Sequence, residues 1–394
     1  MKNNKKAVVT AVVTCILTTA FYLTPAGNVT QRFLLSVGGK MTFSQKMDKM
    51  TNLIDKYYIG DYNKAAAEED ALTAYADSLG DQYTMYIDKD NYSAMMESLG
   101  GDYQGIGVEV MISDGAINII SVFENSPAQK AGMKIGDKIV AVDGETANAE
   151  NYQESINKIK GVNAESGDND VVVTIDRGGE KTDMTVVRDT VSVDTVYSKV
   201  LNTNIGYIRI TDFGQKTDVD FKNHLDRLTA QGIKGLVIDL RNNPGGMLTT
   251  VVNIADELLP EGVILTVKDK NGGENQYKSD EECASIPLCV LINGNSASAS
   301  EVLSGAIRDH GRGKLIGEKS FGKGVVQSIV EFGDGSAFKL TTAKYYTPSG
   351  ECIDQIGINP DIEVKLSDTA AQKQISELTL EEDEQLRTAL QVLN

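Results

Sequence analysis

The stretch that decides the fold runs from Asn293 to Gln327 and reads NGNSASASEVLSGAIRDHGRGKLIGEKSFGKGVVQ. It follows an apolar run, Ile286–Ile292, whose length and composition predict a short buried strand. After a turn of small residues, apolar side chains recur at helical spacing from Val302 to Ile307. A strand that leads through such a turn into a helix presents serine hydroxyls at the positive end of the helix dipole.

The same stretch contains a serine and a lysine that could act as nucleophile and general base. Unpaired N–H groups at a helix N-terminus stabilise a developing negative charge, so a serine there is placed for nucleophilic attack. Lys323 lies in the turn Phe321-Gly-Lys-Gly324, where neighbouring glycines leave its ammonium group with few side chains to solvate it. Burial lowers the pKa of a lysine toward the range of a general base. The two groups are the components of a Ser/Lys dyad.

Simpler interpretations of these residues stay open at this point. Ser296, Ser298 and Ser300 are all placed to cap the helix that follows. Gly-Lys-Gly is also a common exposed turn. Ser320 and Lys323 have the S-x-x-K spacing of penicillin-recognising enzymes, but that chemistry needs both on one helical turn, which the glycines disfavour.

A Ser-His-Asp site is the remaining alternative for a serine nucleophile. It would have to use His224 or His310, because the chain has two histidines. His310 stands beside Gly311 at the predicted end of the helix, where a favourable interaction with the helix dipole explains it. A Ser/Lys pair is therefore the preferred hypothesis.

The quoted stretch resembles the carboxyl-terminal processing proteases, serine peptidases that contain a PDZ domain. The serine turn of that family is matched by Asn295–Glu301, and its F-G-K-G turn is matched 25 residues downstream of Ser298. The resemblance implies that Ser298 is the nucleophile and Lys323 the general base. It also implies that Gln327, four residues after the lysine, orients the lysine.

A second element of the family, D-L-R-N-N-x-G-G, is matched by Asp239–Gly246. Taken alone, Asn-Pro-Gly-Gly is a turn signal. The resemblance implies an oxyanion hole formed by the N–H groups of Gly245 (or Gly246) and Ala299.

Residues 103–190 resemble a bacterial PDZ domain. Gly105-Ile106-Gly107-Val108 would be the loop that binds the terminal carboxylate of a substrate, because backbone N–H groups of a glycine-containing loop can cradle an anion. Tyr152–Lys160 is the predicted helix of the peptide groove. Some relatives sense bound substrate with a basic residue, for which Lys160 and Arg177 are the candidates here.

The N-terminal part of the chain combines a basic start with an apolar segment. Lys2–Lys6 precedes 17 residues, Ala7–Leu23, that predict an uncleaved signal-anchor with the catalytic part outside the cytoplasm. Secretion after cleavage of a signal peptide is the alternative. The following segment is predicted to be helical, with an apolar face made of Met47, Met50, Ile54 and Tyr57 and a break in the helical pattern at Leu79–Ile87. In related proteases this segment mediates dimer contacts.

Composition restricts the partners. The formal charge of −18 argues against nucleic acid. Four cysteines (Cys15, Cys283, Cys289 and Cys352) without a C-x-x-C, and two histidines, do not form a zinc site, so no metal or cofactor is expected. A Cys283–Cys289 bridge and unpaired thiols both stay open. The resemblance implies protein or peptide partners with free C-termini, and it also allows a homodimer and an activating partner protein.

The predicted fold class is a multidomain α/β protein. The resemblance implies an N-terminal helical segment, a PDZ domain built as a partly open β-barrel with helices, and a crotonase/ClpP-like α/β-sandwich protease core. The predicted boundaries are 1–24 for the signal-anchor, 42–102 for the helical segment, 103–190 for the PDZ domain, 191–366 for the core and 367–394 for a helical tail. The predicted function is a serine endopeptidase gated by its PDZ domain, with a role in signal transduction by analogy. The alternative is an inactive PDZ scaffold on a protease-like core.

Overall fold

The computed structural model describes residues 40–123, 125–162, 169–201 and 204–394. The predicted signal-anchor, residues 1–24, lies outside these ranges. Within them, no helix combines the length and the apolar character needed to cross a membrane. The chain divides into two compact units, Met1–Glu68 and Glu69–Asn394.

The first unit contains a helix with one exposed apolar face. Helix α1 (Phe43–Tyr57) begins at a capping box, in which Thr42 Oγ1 accepts from Gln45 N–H at 3.3 Å and Gln45 Oε1 accepts from Thr42 N–H at 3.0 Å. The predicted apolar face is present on α1, yet the helix buries none of its residues, and Met50 is 54% exposed. Helix α2 (Lys64–Asp77) begins in this unit.

The second unit continues with a small β-rich module. After β1 (Met85–Ile87) and α3 (Lys89–Gly100), the elements of this module are, in chain order, β2 (Asp102–Gly105), β3 (Val108–Ser113), β4 (Ala116–Val122), α4 (Pro127–Ala131), β5 (Lys138–Val142), β6 (Glu145–Thr146), α5 (Tyr152–Lys160), β7 (Asp170–Arg177), β8 (Glu180–Val187) and β9 (Asp189–Ser192). The antiparallel order β3-β4-β5-β7-β8, with β6 on β5, forms the main sheet, and β2 pairs with β9. A separate apolar cluster, which includes Ile117, Ile139 and Val173, fills this module.

The remaining residues form a larger α/β core. Its elements are β10 (Val196–Val200), β11 (Ile205–Ile210), α6 (Thr217–Ala230), β12 (Gly235–Asp239), α7 (Leu248–Asp256), β13 (Gly262–Asp269), β14 (Glu274–Ser279), β15 (Leu288–Ile292), α8 (Ala299–Asp309), β16 (Gly313–Gly317), β17 (Val325–Glu331), β18 (Ala337–Tyr346), β19 (Ile362–Glu363), a 3₁₀ turn (Ile375–Glu377) and α9 (Glu384–Leu393). Strands β11, β12, β15, β16 and β19 run parallel, with β10 antiparallel at the edge. A second sheet has the order β1-β18-β13-β14, and β17 also pairs with β18.

The two faces of the parallel sheet pack against different helices. Ile238 and Val290 lie in the main cluster with residues of α6, α7 and α8. Val237 and Leu291, one position away on the same strands, lie in a second cluster with Leu386 of α9. Because successive side chains of a strand point to opposite faces, strands covered on both sides consist of continuous apolar residues, as β12 and β15 do.

The predicted fold class is confirmed, since a β-rich module precedes an α/β core with mixed helices and sheets. The break that the sequence predicts around residues 79–87 ends in β1, which pairs with β18 and thereby joins the second sheet of the core. The described cysteines, Cys283, Cys289 and Cys352, are free thiols. Cys289 is fully buried in β15, and burial raises the pKa of its thiol to about 11.

Candidate active site

One serine of the small-residue turn is distinguished by its surroundings. Ser296 and Ser300 are buried, and their hydroxyl groups donate to the carbonyl oxygens of Leu240 at 2.8 Å and Asn243 at 3.0 Å. Ser298, in contrast, is only partly buried and lines a pocket. Its backbone has φ 55° and ψ −112°, a conformation that a non-glycine residue adopts only under strain. Of these three serines, Ser298 is therefore the one that lines the pocket.

The turn after β12 meets the turn of Ser298 through Asn243. The buried Asn243 accepts a hydrogen bond from Ala297 N–H at its carbonyl oxygen, 3.0 Å away. Its side chain donates to the Ile210 carbonyl and accepts from Gly245 N–H at 2.8 Å. The two glycine- and serine-rich turns thus form one rigid platform beneath the pocket.

The expected oxyanion donors are not equivalent. The N–H group of Gly245 donates to Asn243, as described above, and is therefore occupied. Among the described residues, no hydrogen bond is made by the N–H groups of Gly246 or Ala299, both of which line the pocket beside Ser298. Gly246 and Ala299 are the pair free to receive an oxyanion.

Lys323 enters the same pocket from a turn that is not helical. Burial, with a smaller effect of the nearby Lys339, lowers the pKa of Lys323 below its ordinary value, although Glu301 and Asp81 act in the opposite sense. Its ammonium nitrogen lies 4.7 Å from the centre of the Tyr83 ring. Within the described part of the chain, no hydrogen bond joins it to Ser298. Tyr83 lies in the segment that was predicted only as a break between helices, so its contact with Lys323 was not predicted.

Gln327, expected to orient the lysine, lies on β17 and lines the pocket. Its side-chain amide donates to Thr341 Oγ1 at 3.4 Å. Among the described residues it makes no hydrogen bond to Lys323. The structure therefore places Gln327 in the site and pairs it with Thr341.

Two buried residues that the sequence analysis did not single out contact both turns. Glu301, in the first turn of α8, is fully buried, and its carboxylate accepts hydrogen bonds from the turns of Ser298 and of Lys323. Tyr345, on β18, is 3% exposed, and its hydroxyl donates to the carbonyl oxygens of Ser298 and Lys323. The sequence spacing Ser298-x-x-Glu301 matches a capping box, and this signal could have drawn attention to the glutamate.

The pocket that Ser298 and Lys323 share has a volume of about 610 Å³ and is mainly apolar. Its apolar wall consists of side chains from α3, the start of α7 and β17, among them Met95, Met96, Leu248, Val326 and Ile329. Such a wall suits an apolar side chain of a bound polypeptide next to the reacting serine.

A second groove, of about 540 Å³, lies on the β-rich module between α5 and the start of β3. The predicted carboxylate loop, Gly105 to Val108, lines it together with Tyr152 and Ile156 of α5. Lys160 also lines this groove and forms an ion pair of 2.6 Å with Glu97 of α3. Arg177 does not line it, and its guanidinium pairs with the buried Asp137 at 2.6 Å. Of the two candidate sensors, Lys160 is the one at the groove.

The competing serine sites are disfavoured by geometry. Ser320 is 6% exposed, donates to Glu301 at 2.6 Å and accepts from Ile358 N–H at 2.7 Å, so its hydroxyl is fully used inside the protein. His310 caps the C-terminus of α8 and bonds to the Val263 carbonyl. His224 bonds to Ser198.

Comparisons with known proteins identify the family and its domains. Residues 204–364 match peptidase family S41, and residues 104–187 match the PDZ domain. The carboxy-terminal processing protease CtpA of Bacillus subtilis (strain 168) is 33% identical over 376 residues, which cover 94% of this chain and 79% of CtpA. CtpB of the same organism is 36% identical over 330 residues, covering 82% of this chain and 68% of CtpB.

The architecture is shared with a solved structure as well. A crystal structure from Bacteroides fragilis NCTC 9343, assigned to the S41 proteases, superposes with a TM-score of 0.54 at 16% identity. The match covers 85% of this chain and 92% of that one, which shows a common fold. The sequence relatives above lead to one conclusion: the chain belongs to the carboxy-terminal processing proteases of peptidase family S41, and it is a serine-type peptidase with a PDZ domain.

Proposed function

We propose that this protein is an extracytoplasmic serine endopeptidase in which Ser298 and Lys323 form a Ser/Lys dyad. The observation that carries the proposal is a shared pocket. It holds Ser298, the serine of its turn that is only partly buried, a lysine whose pKa is lowered by burial, and the free N–H groups of Gly246 and Ala299.

In the proposed reaction, Ser298 Oγ attacks the scissile carbonyl carbon while neutral Lys323 takes the hydroxyl proton. The oxyanion of the tetrahedral intermediate is held by the N–H groups of Gly246 and Ala299. Lys323 then gives its proton to the leaving amine, and an acyl-enzyme remains. A water molecule attacks this ester, Lys323 takes the proton of the water, and release of the new carboxylic acid returns the proton to Ser298.

Before this reaction the lysine has to turn toward the serine. In the structure its ammonium group faces the ring of Tyr83. Cation–π attraction at a partly desolvated site is worth about 1–2 kcal/mol, so a bound substrate can displace the lysine from the ring at modest cost. We therefore assign the structure to a resting state of the enzyme.

The PDZ groove is proposed to take the C-terminal tail of the substrate and to gate cleavage. A tail would add along β3 with its carboxylate at Gly105–Val108 and an apolar side chain against Ile156. Helix α3 is placed to transmit this binding, because Glu97 lines the groove while Met95 and Met96 line the catalytic pocket. The Lys160–Glu97 ion pair joins α5 to α3 and is the contact that a tail would perturb.

Location and assembly are proposed from the N-terminal part of the chain. The basic and apolar sequence of residues 1–24 supports a signal-anchor with the catalytic domain outside the cytoplasm, or secretion after cleavage. The exposed apolar face of α1 supports a homodimer formed through Met50, Ile54 and neighbouring residues. An activating partner protein would act on the same gating step. Control of cleavage by such a partner would give the enzyme a role in signal transduction.

The test compares the full chain with Ser298→Ala and Lys323→Ala on an unstructured protein such as casein. Each reaction is run alone, with a peptide ending in a free apolar C-terminal residue, and with the same peptide amidated. We expect cleavage by the wild type only, and a change of rate with the free peptide only. Turnover equal to wild type in either variant would refute the dyad.

The inactive-scaffold alternative predicts a different pattern. All three chains would leave the substrate intact under every condition, while the free peptide would still bind the wild type. If the free and amidated peptides have equal effects, the loop Gly105–Val108 does not recognise a terminal carboxylate, and that part of the proposal is wrong.

A further inference from the structure

Both carboxylate oxygens of Glu301 accept hydrogen bonds, and one of them joins the turn of Ser298 to the turn of Lys323. One oxygen, Oε2, accepts from the N–H groups of Ser298 and Lys323, at 2.8 Å each. The other, Oε1, accepts from Ser320 Oγ at 2.6 Å and from Gly322 N–H at 2.7 Å. A fully buried carboxylate with four donors is a strong anchor, because charge-assisted hydrogen bonds in a low dielectric are about twice as strong as neutral ones.

Tyr345 contacts the same two residues from the carbonyl side. Its hydroxyl lies 3.1 Å from the carbonyl oxygen of Ser298 and is also hydrogen-bonded to that of Lys323. The single hydroxyl proton is shared between the two acceptors. Burial raises the pKa of Tyr345 well above its ordinary value, so the phenol stays protonated and keeps this donor.

Together, these two side chains bind every backbone polar group of the proposed nucleophile and general base. The N–H groups of Ser298 and Lys323 share Glu301, and their carbonyl groups share Tyr345. We name this pair of residues the Glu301–Tyr345 clamp. It spans two turns that lie 25 residues apart in the sequence.

The local backbone explains why such a clamp is needed. Ser298 has a positive φ of 55°, which an unrestrained serine would leave for a more favourable region. The lysine turn contains Gly322 at φ 94°, and glycine has a wide choice of conformations. Neither turn would keep its own geometry without outside contacts.

We infer that Glu301 and Tyr345 are positioning residues of the dyad, which fix the distance and orientation between the backbones of Ser298 and Lys323. The inference rests on the proposed function, since it presumes that these two residues carry the reaction. In the resting state the lysine side chain faces Tyr83, and the clamp leaves that side chain free to turn while its backbone stays in place.

The test uses Tyr345→Phe and Glu301→Gln in the full chain, with kcat and KM measured across pH. Misplacing a reacting group by about 1 Å costs on the order of 10²-fold in rate, so we expect kcat to fall by about that factor with KM little changed. Tyr346→Phe and Glu318→Gln are the matched controls, because both lie outside the clamp and are expected to keep the wild-type kcat.

The pH profile separates positioning from a general loss of structure. The Glu301 carboxylate raises the pKa of Lys323, so its replacement by a neutral amide should move the rising limb of kcat to lower pH. Tyr345→Phe changes no charge, so its limb should stay at the wild-type pH while kcat falls. A folded Tyr345→Phe with a kcat within about twofold of wild type would overturn the inference, even if Glu301→Gln does not fold.

Failure of the Glu301–Tyr345 clamp can be distinguished from failure of the proposed dyad. Ser298→Ala and Lys323→Ala are measured in the same assay. If both are inactive while the clamp variants turn over like wild type, the clamp is wrong and the dyad stands. If either retains wild-type turnover, the dyad and the clamp are both refuted.

Discussion

At the scale of single residues, the site depends on a close approach between Gly245 and Ser298, the proposed nucleophile. Gly245 has φ 111°, and a Cβ atom placed on it would lie 2.8 Å from Ser298 Cβ and 3.0 Å from Ala299 N. A side chain there would therefore displace Ser298 and also cover the N–H group of Ala299, one of the two proposed oxyanion donors. Only glycine fits both the backbone conformation and the space.

We predict that Gly245→Ala lowers kcat by at least the factor of about 10²–10³ that loss of one oxyanion donor causes. Gly100→Ala is the control, because nothing lies within 4 Å of an added Cβ there. The two variants are compared by cleavage rate and by thermal unfolding. A Gly245→Ala protein with normal turnover would place the oxyanion hole elsewhere.

The protonation of Lys323 gives a prediction of pH dependence. Lys339 also lines the pocket, and its positive charge helps to lower the pKa of Lys323. Because the neutral lysine is the proposed base, the rate rises with pH as Lys323 loses its proton. Lys339→Gln removes a like charge, should raise the pKa of Lys323, and should move the rising limb of kcat to higher pH. Lys344→Gln, on the same strand but paired with Asp354, is the control. If the rising limb of kcat in Lys339→Gln stays at the wild-type pH or moves to lower pH, Lys339 does not lower the pKa of Lys323.

At the scale of elements, strands and helices with a clear period were predictable. The apolar run before Asn293 is β15, and the predicted groove helix, Tyr152–Lys160, has the bounds of α5. Local pattern could not show that Met85–Ile87 would leave its helical neighbours and pair with β18, since its partner lies some 250 residues away in the sequence.

The candidate site was also predictable only in part, because some of its contacts are local in the sequence and others are long-range. The turns that hold Ser298 and Lys323 are local motifs, and their small residues and glycines are visible in the sequence. Tyr345 reaches these turns only through the folding of β18 behind them, and Tyr83 reaches the lysine only through the pairing of β1. Long-range contacts of single hydroxyls or rings leave no periodic signal, so the sequence did not reveal them.

Helix α1 gives a prediction about assembly. Its exposed methionine and isoleucine side chains form an apolar face that a second copy could cover. We predict that Met50→Glu with Ile54→Glu converts a dimer into a monomer in sedimentation velocity experiments, because charges on the buried face of a helix pair are strongly unfavourable. Asn52→Glu, on the opposite face, should leave the dimer intact. A wild type that is monomeric at all concentrations would rule out the proposed dimer.

At the scale of the whole molecule, the end of the chain is tied to the catalytic platform. Arg241, 1% exposed, follows β12 in the segment that leads to Gly245 and Gly246. Its guanidinium pairs with Asp239 at 2.6 Å and with Asp383, at the N-cap of α9, at 2.8 Å. The predicted helical tail therefore closes the core through a buried ionic contact.

We predict that Asp383→Asn destabilises the protein by about 3 kcal/mol, because the change leaves a buried guanidinium partly unpaired. Asp368→Asn, at an exposed position, is the control. Urea unfolding followed by circular dichroism measures the difference. If both variants unfold at the wild-type midpoint, the contact between α9 and the loop of Arg241 contributes little to stability.

The contact between Arg241 and Asp383 also sets an order of events during synthesis. The two residues are 142 positions apart, and at ordinary elongation rates of about 5–20 residues per second the ribosome needs on the order of 10 s to travel from one to the other. During that interval Arg241 lacks one of its anionic partners, and the cluster beneath β12 and β15 lacks α9. A nascent chain therefore carries its serine and its lysine well before the core that supports them is closed. Such a delay would keep a newly made protease from cutting its neighbours until the ribosome has made α9.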